Sequence, residues 1–223
     1  MQQYKQDFIT FMVRSEVLTF GDFVTKSGRR TPFFINTGNY RTGEQMNKLG
    51  EFYARTIIDA FGEDFTTLFG PAYKGIPLVV TTAGVLAREH SRDVSFCFNR
   101  KEEKSHGEGG SLVGYTPQSG DSIVIVEDVT TAGTSIRESV PILKAAADVQ
   151  ITGLVVSVDR MEKGSGEQSA LQEIEHSFGM KTTSIVNLEE IITFLHNKEI
   201  DGKVVLDDQI YECIQRYRQQ YGV

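Results

Sequence analysis

The stretch SIVIVEDVTTAGTSIRE, residues 122–138, divides into three consecutive parts that together predict the fold and a binding site. Its first part, Ser122 to Val126, is a short and largely β-branched apolar run, which indicates a buried strand. Two carboxylates, Glu127 and Asp128, follow at once. After a loop of small and hydroxyl residues, apolar residues recur at helical spacing, so a helix is expected to begin near Thr134.

The loop between this strand and this helix has the chemistry of a phosphate-binding site. A helix N-terminus presents free backbone N–H groups and the positive end of the helix dipole, and both favour an anion. Gly133 allows a backbone conformation that other residues resist. Hydroxyl donors come from Thr130, Thr131, Thr134 and Ser135. No Gly-Lys-Ser/Thr sequence follows, so the loop is not of the P-loop ATPase kind.

The acidic pair before the loop cannot hold phosphate directly, because like charges repel. Glu127 and Asp128 could instead hold sugar hydroxyls, or a divalent cation that bridges to phosphate. The plainer alternative is an ordinary turn from strand to helix with a Ser or Thr cap. Such a cap needs neither two carboxylates nor four hydroxyl groups, and the ligand-binding interpretation is therefore preferred.

The composition is that of a globular protein with an acidic surface. The chain has 223 residues, of which 39% are apolar and 24% charged, so one domain, with or without a small lobe, is expected. A net charge of −7 disfavours a general nucleic-acid binder. The polar N-terminal residues predict no secretory signal, and no apolar run approaches the ~18 residues that a membrane span needs. A cytoplasmic protein without a membrane partner is expected.

Two further loops carry cations next to apolar segments. The basic turn Lys26–Pro32 precedes Phe33–Ile35, and from the residues alone Lys26 is a solvated charge. The Gly- and Pro-rich loop Gly70–Pro77 holds a Tyr-Lys pair and follows a short predicted strand. Lys74 is either exposed on a tight turn or placed at the carboxyl end of a strand, where α/β sheets bind ligands.

The segment NRKEEKSHGEGGSLVG, residues 99–114, is too charged for a core and holds four glycines. It cannot bury enough apolar area to order itself. One interpretation is a solvated, mobile hairpin tip. The other is a lid that orders over a polyanion, where its cations would supply charge to a leaving group and its closure would exclude water.

Strands alternate with helices from about Leu68 to Val186, which predicts an α/β fold with a mostly parallel sheet flanked by helices. The core is expected at about residues 41–190 of a single domain spanning residues 1–223. Residues from about 1 to 40 stand outside the alternation and are expected to form a small N-terminal hood with C-terminal contributions. Arg160 follows another predicted strand and is, from the residues alone, a surface ion pair.

Residues 124–135, VIVEDVTTAGTS, resemble the phosphoribosyl-diphosphate (PRPP) binding signature of the type I phosphoribosyltransferases. Four other segments narrow the resemblance to the orotate phosphoribosyltransferase family. They are KSGR followed by TPFF, FGPAYKGI, RKxxKxHGEGG and VDRxE, which begin at residues 26, 69, 100 and 158. The matches run in the family's order through nearly the whole chain.

The resemblance implies transfer of a phosphoribosyl group from PRPP to orotate, giving orotidine 5′-monophosphate and diphosphate in de novo pyrimidine synthesis. It implies catalytic roles for Lys101, Asp128, Lys104 and His106, the last as an acid or hydrogen-bond donor. It assigns PRPP binding to Lys26, Tyr73, Lys74, Arg100, Lys101, Lys104, His106, Glu127, Asp128, Val129, Thr130, Thr131, Ala132, Gly133, Thr134 and Ser135. It assigns orotate binding to Lys26, Phe34, Ile35, Thr131 and Arg160, whose guanidinium would meet the orotate carboxylate.

The resemblance also implies Mg²⁺, held mainly by substrate and water oxygens, and a homodimer in which the Arg100–His106 segment is shared across the interface. The chain departs from the family at two positions. Glu127 stands where an aspartate is frequent, and Ile35 where many relatives have a second aromatic residue. A backbone contact to the base would survive the second change, whereas a stacking contact would not.

Two other functions are considered. A phosphoribosyltransferase for a purine or uracil would not need Lys26, Phe34 and Arg160 as a set. A regulator that binds PRPP without catalysis would keep the phosphate loop and lose the chemistry of the lid. The cations and His106 of that segment are present here, and no DNA-binding segment accompanies them.

Overall fold

The structure is a computed structural model that describes residues 1–25, 28–101, 111–130, 133–164 and 166–223. The predictions for Lys26, Lys104, His106, Thr131 and Ala132 therefore lie outside the described residues. No helix of these ranges is both long enough and apolar enough to cross a membrane.

The secondary structure alternates as the sequence predicts. The first half comprises α1 (Gln3–Arg14), β1 (Leu18–Val24), β2 (Arg30–Ile35), α2 (Gly43–Phe61), β3 (Thr67–Gly70), α3 (Gly75–Glu89), β4 (Ser95–Asn99) and β5 (Leu112–Gly114). The second half comprises β6 (Ser122–Val126), α4 (Thr134–Ala146), β7 (Gln150–Asp159), α5 (Ala170–Phe178), β8 (Lys181–Asn187), α6 (Leu188–Leu195), β9 (Glu199–Ile200), β10 (Lys203–Val204) and α7 (Asp208–Tyr221).

The main sheet has the strand order β5-β4-β3-β6-β7-β8 within the described ranges. All neighbours in it are parallel except β5, which runs antiparallel to β4 at one edge. The strand β6 is central, and its apolar side chains alternate between the two faces of the sheet. Val124 and Val126 belong to one core cluster, and Ile123 and Ile125 to the other.

Helices cover both faces, which confirms the predicted architecture. The larger core cluster joins α1, α2, α3, α6 and α7 to one face of the sheet. The smaller cluster joins α4 and α5 to the other face through Ile136, Val140, Leu143, Leu171 and Ile174. The central strand is buried on both sides, as its unbroken apolar sequence indicates.

A smaller unit stands beside this sheet. The strands β1 and β2 pair antiparallel as a hairpin, and α7 contacts β2. The rings of Phe33 and Tyr217 meet edge to face, with 5.9 Å between their centroids. The first and last parts of the described chain therefore pack together, next to the carboxyl end of β7.

Candidate active site

The site lies where the strand order of the sheet reverses. From β3 the chain proceeds outward to β4 and β5, and from β6 it proceeds outward on the other side to β7 and β8. Parallel strands on either side of such a reversal leave a crevice at their carboxyl ends. The loops that follow β3 and β6 carry Lys74 and the acidic pair, so the fold brings together two motifs that lie about fifty residues apart in the sequence.

The acidic pair is buried at the end of β6 and is held through its backbone. The exposed fraction is 6% for Glu127 and 9% for Asp128. The Tyr53 hydroxyl donates to the carbonyl oxygen of Glu127 at 2.7 Å. The carbonyl oxygen of Asp128 accepts from both the hydroxyl and the backbone N–H of Ser157, at 2.6 and 2.8 Å. These bonds fix the carboxylates at the floor of the crevice.

The Asp128 carboxylate is the centre of a small hydrogen-bonded triad. Its Oδ2 accepts from Lys74 Nζ at 2.8 Å and from Thr37 Oγ1 at 2.7 Å, and Lys74 Nζ lies 3.0 Å from the same threonine oxygen. Burial opposes ionisation of Asp128, but the hydrogen bonds and the charge of Lys74 outweigh it and lower the pKa of this carboxyl. Asp128 is therefore a carboxylate at neutral pH, ready to accept hydrogen bonds.

Glu127 lies in a different environment although it is the next residue. Burial removes its carboxyl from water, and the neighbouring Asp128 charge adds to this effect, so that the pKa of Glu127 is raised to about 7. Its Oε1 accepts from the backbone N–H of Asp128 at 3.0 Å. At neutral pH Asp128 is therefore ionised, whereas Glu127 has a pKa of about 7 and is partly protonated.

The described part of the phosphate loop leads directly into α4, as the sequence predicts. Gly133 adopts a left-handed conformation with φ +67°, and a Cβ there would lie 2.9 Å from the side chain of Ile174. The Gly133 N–H donates to Thr130 Oγ1 at 3.0 Å, and α4 begins at Thr134. A glycine is required at this position for both its backbone conformation and its lack of a side chain.

The loop after β3 is shaped by close backbone packing. A Cβ at Gly70 would lie 2.2 Å from the carbonyl oxygen of Gly75, so the two ends of the loop touch. The buried Asn99 accepts the Ala72 N–H at 2.8 Å and ties the loop to the end of β4. Tyr73 is 69% exposed, and the side chain of the neighbouring Lys74 is 60% exposed although its Nζ is bonded to Asp128.

The hairpin β4–β5 brackets the charged segment, as expected. The Arg100 N–H donates to the carbonyl oxygen of Ser111 at 2.7 Å, which continues the pairing of the two strands. Lys101 Nζ lies 3.0 Å from Glu138 on α4. Lys101 therefore lies close to the helix that starts at the phosphate loop.

Phe34 and Ile35, the two residues of β2 predicted to contact orotate, and their neighbour Phe33 face different surroundings. Phe33 is fully buried, with the Arg160 guanidinium 4.5 Å above its ring. Phe34 is 38% exposed and stacks on Phe23, with 5.6 Å between the ring centroids. Ile35 packs at the edge of the larger core cluster. Phe34 thus offers an accessible ring face, and Ile35 offers only part of its side chain.

Arg160 is not a surface residue. Its side chain is 11% exposed, and Glu162 Oε1 accepts from its Nε and Nη2 at 3.1 and 2.6 Å. Thr130 and Arg160 line the same small cavity between the phosphate loop and the end of β7. The structure therefore brings the arginine next to the phosphate loop.

Several residues of the site were not singled out by the sequence. Thr37, Tyr53, Ser157 and Asn99 hold the acidic pair or the loop after β3. Each is an ordinary polar residue inside an otherwise structural segment. For Tyr53 and Ser157 the available signal was their place in a helix and a strand predicted to pack in the core, where a buried polar group requires a hydrogen-bond partner.

Comparison with known proteins agrees with this geometry. Residues 36–181 match the family model described as the phosphoribosyl transferase domain. The orotate phosphoribosyltransferases of Clostridium acetobutylicum and Lachnoclostridium phytofermentans are each 58% identical to this chain over 223 residues, with 99% or more of either chain covered. The chain belongs to the orotate phosphoribosyltransferase family.

A solved structure supports the assignment at the level of the fold. The orotate phosphoribosyltransferase of Francisella tularensis superimposes with a TM-score of 0.84 at 36% identity, over 97% of this chain and 100% of that one. The match includes the hairpin and the last helix as well as the main sheet, because it extends over nearly the full length. The resemblance drawn from five short segments is therefore confirmed for the whole chain.

Proposed function

We propose that this chain transfers the phosphoribosyl group of PRPP to orotate and releases diphosphate, forming orotidine 5′-monophosphate in pyrimidine biosynthesis. The observation that carries the proposal is the crevice between β3 and β6. There the exposed Lys74 reaches the buried Asp128 carboxylate at 2.8 Å, and the loop before α4 follows that carboxylate directly in the chain. This arrangement suits a ligand with a phosphate at one end, a sugar in the middle and a diphosphate at the other.

The loop before α4 would bind the 5′-phosphate. The loop offers hydrogen-bond donors that carry no formal charge. They are the backbone N–H groups at the start of this helix and the hydroxyls of residues 130, 131, 134 and 135. Val129, Ala132 and Gly133 are small enough, or flexible enough, to let the phosphate approach the backbone. The 5′-phosphate would thereby fix the position of the ribose above the acidic pair.

The acidic pair would hold the ribose hydroxyls. In the reaction, the bond between ribose C1 and the diphosphate oxygen breaks, and its electron pair leaves with the diphosphate. A ring nitrogen of orotate forms the new bond to C1 and loses its proton. Positive charge develops on the ribose on the way, and the buried Asp128 carboxylate would stabilise it.

The cations around the crevice would meet the diphosphate. Lys74 bridges to Asp128 in the structure, yet its side chain is 60% exposed and has room to turn towards an incoming anion. Tyr73, Arg100, Lys101, Lys104 and His106 would complete the diphosphate site, with Lys101, Lys104 and His106 acting on the leaving group. Their charge offsets the negative charge that accumulates on the diphosphate.

The base would bind between the hairpin and the end of β7. Phe34 offers a ring face for the base, and Arg160 would meet its carboxylate. Lys26, Ile35 and Thr131 would line the remainder of this pocket. On this proposal, residues from about 1 to 40, together with α7, form a hood over a core at about residues 41–190.

Mg²⁺ fits the donors of this site if the substrate supplies most of its ligands. Among the described residues, no group of three or more His, Cys, Asp or Glu side chains could hold a metal by itself. Asp128 and Glu127 are hard oxygen donors at the ribose position, and the remaining ligands would be substrate and water oxygens. When bound, Mg²⁺ neutralises charge on the diphosphate.

The first experiment follows the ultraviolet absorbance of orotate after PRPP and Mg²⁺ are added, with and without a chelator. A decrease in orotate that requires both PRPP and the metal supports the proposal. If orotate is not consumed while PRPP still raises the melting temperature, either the base is wrong or the chain is a regulator. Trials with uracil and purine bases would separate those two outcomes.

The proposal includes a homodimer in which the Arg100–His106 segment of one subunit completes the site of the other. Mixed dimers of Lys101→Ala and Asp128→Asn subunits test it, because each dimer then contains one site with neither change. Partial recovery of activity is expected when the two inactive variants are mixed. Verified mixed dimers that remain inactive would exclude the shared segment.

A further inference from the structure

The Arg160 guanidinium is held on a rigid turn at the end of β7. Asp159 ends the strand, and its Oδ1 accepts the Met161 N–H at 2.9 Å. Met161 is left-handed, with φ +51°, so the chain reverses sharply and brings Glu162 back towards Arg160. The sequence Asp-Arg-x-Glu therefore places its arginine and its glutamate side by side.

Glu162 engages the guanidinium along one edge. Its Oε1 accepts from Nε and Nη2 of Arg160, and the side chains are 11% and 13% exposed. Nη1 has no hydrogen-bond partner among the residues that the structure describes. The guanidinium thus keeps a second edge, formed by Nη1 and Nη2, with donors for a planar carboxylate.

Glu162 is in turn held from two other elements. Its Oε1 accepts from the Tyr217 hydroxyl on α7 at 2.8 Å, and Arg29 Nη1 before β2 lies 3.4 Å from its Oε2. Two guanidinium groups therefore share one carboxylate, and the cluster of these three charges keeps a net positive charge. That charge suits an anionic ligand better than a neutral one.

The last helix is tied to the same turn through its backbone. The Lys163 N–H donates to the carbonyl oxygen of Tyr221 at 2.8 Å, and the Val223 N–H donates to that of Met161 at 3.0 Å. The Arg29 guanidinium also lies 4.4 Å above the Tyr221 ring. The position of Glu162 is thus determined by contacts that span most of the chain.

We propose that Glu162 and Tyr217 are positioning residues that hold Arg160 in the orientation needed to bind the carboxylate of the substrate base. The inference rests on the proposed function, since it takes Arg160 as the group that meets that carboxylate. Glu162 orients the guanidinium, and Tyr217 orients Glu162. Neither residue touches the substrate.

The test compares Glu162→Gln and Tyr217→Phe in steady-state kinetics with orotate and PRPP varied separately. Glu162→Gln keeps an acceptor but loses the charge that orients Arg160, and the KM for orotate is expected to rise about tenfold. Tyr217→Phe keeps the ring on Phe33 and loses the hydroxyl that donates to Glu162, and the KM for orotate is expected to rise about threefold. The KM for PRPP should stay within about twofold in both variants.

Two matched variants control for general damage. Glu189→Gln breaks another Arg–Glu pair of the last helix, between Arg218 on α7 and Glu189 on α6. Tyr211→Phe changes another tyrosine of that helix, whose ring stacks on His196. Both should leave the KM for orotate unchanged.

A double-mutant cycle with Arg160→Ala separates positioning from plain stability. If Glu162 acts through the arginine, Glu162→Gln adds no further rise in the KM for orotate once Arg160 is gone. The inference would be overturned if Glu162→Gln raised the KM for orotate and the KM for PRPP equally. It would also be overturned if Glu162→Gln raised the KM for orotate by the same factor in the Arg160→Ala background. An unchanged orotate KM in Arg160→Ala would overturn it as well. A wild-type chain that does not consume orotate at all would instead refute the proposed function, and with it this inference.

Discussion

The two ion pairs at the ends of β6 and β7 differ in how freely they can exchange partners. Lys74 and Asp128 form one pair, in which the lysine side chain is 60% exposed and the carboxylate 12%. Arg160 and Glu162 form the other, in which both side chains are 13% exposed or less and two nitrogens meet one oxygen. A lysine is a point charge on a flexible stem, whereas an arginine fork has a fixed direction.

This difference assigns a separate task to each pair. On the proposed function, the Lys74–Asp128 pair would open when a polyanion draws the exposed lysine away, and it would then leave a buried carboxylate available to the ribose. The Arg160–Glu162 pair packs against Phe33, Tyr217 and the turn at Met161, which leaves one edge of the guanidinium for a ligand, and on the proposed function it would serve orientation. Variants of these pairs and of the neighbouring Glu127 test this comparison.

The largest effect is expected at the carboxylate of the exchangeable pair. Asp128→Asn removes the charge that would stabilise the positive ribose while it preserves the size of the side chain. Turnover should fall about 100-fold, because an amide cannot supply that charge. The orotate absorbance assay measures this. Asp59→Asn, which breaks the ion pair between Arg55 and Asp59 on α2, is the control and should retain full activity. Near-normal turnover in Asp128→Asn would remove this carboxylate from the chemistry.

A smaller effect on substrate binding is expected at the lysine. Lys74→Met should raise the KM for PRPP about tenfold, since one cation of the diphosphate site is lost. Its melting temperature should fall by about 2 °C, because the buried Asp128 carboxylate loses a counter-charge but keeps the hydrogen bond from Thr37. Glu162→Gln should lower the melting temperature by about 5 °C, since it leaves a buried guanidinium without its counter-charge.

The same lysine variant should change the pH dependence of the reaction. The bonds from Lys74 lower the pKa of Asp128 against the effect of burial, and their loss raises that pKa. The acidic limb of the kcat/KM profile should therefore move to higher pH. Lys48→Met, which breaks a surface pair on α2, should show none of these changes. An unchanged acidic limb in Lys74→Met would mean that the pair does not control the ionisation of Asp128.

The smallest effect on turnover is expected at Glu127, and its pH dependence is measured through stability. Burial raises the pKa of Glu127 from 4.5 to about 7, so the folded state holds a proton that the unfolded state has released. Protonation of Glu127 therefore stabilises the folded state fully below pH 4.5, and this stabilisation is lost as the pH rises through 7. Glu127→Gln is neutral at every pH, and its melting temperature relative to wild type should rise by about 3 °C between pH 5 and pH 8.

The exposed Glu63 provides the control for this measurement, since Glu63→Gln should shift the melting temperature equally at both pH values. A Glu127→Gln curve parallel to wild type would show that the carboxyl ionises with an ordinary pKa in the folded protein.

Much of the fold could be read from local patterns. The strand at residues 122–126 and the helix that begins at Thr134 occur where the apolar spacing predicts them. The loop after β3 and the hairpin β4–β5 also occur at the expected places. These elements were predictable because burial on a strand or a helix leaves a periodic trace in the sequence.

The partners of the site residues could not be predicted in the same way. Thr37 reaches Asp128 across 91 residues, and Tyr217 reaches Glu162 across 55. A hydrogen bond between distant residues leaves no periodic signal, and a single threonine or tyrosine is compatible with many environments. Arg160 illustrates the limit, because the residues alone suggest a surface ion pair and the fold buries it on Phe33.

The sequence by itself determined which groups are expected at the site, because motif residues are close in the chain and their order resembles that of a known family. Only the tertiary structure decided the state of those groups. It placed the loops after β3 and β6 at one crevice, and it lowered the pKa of Asp128 while raising that of Glu127. Charge and orientation depend on which neighbours are within a few ångströms, and those neighbours come from distant parts of the chain.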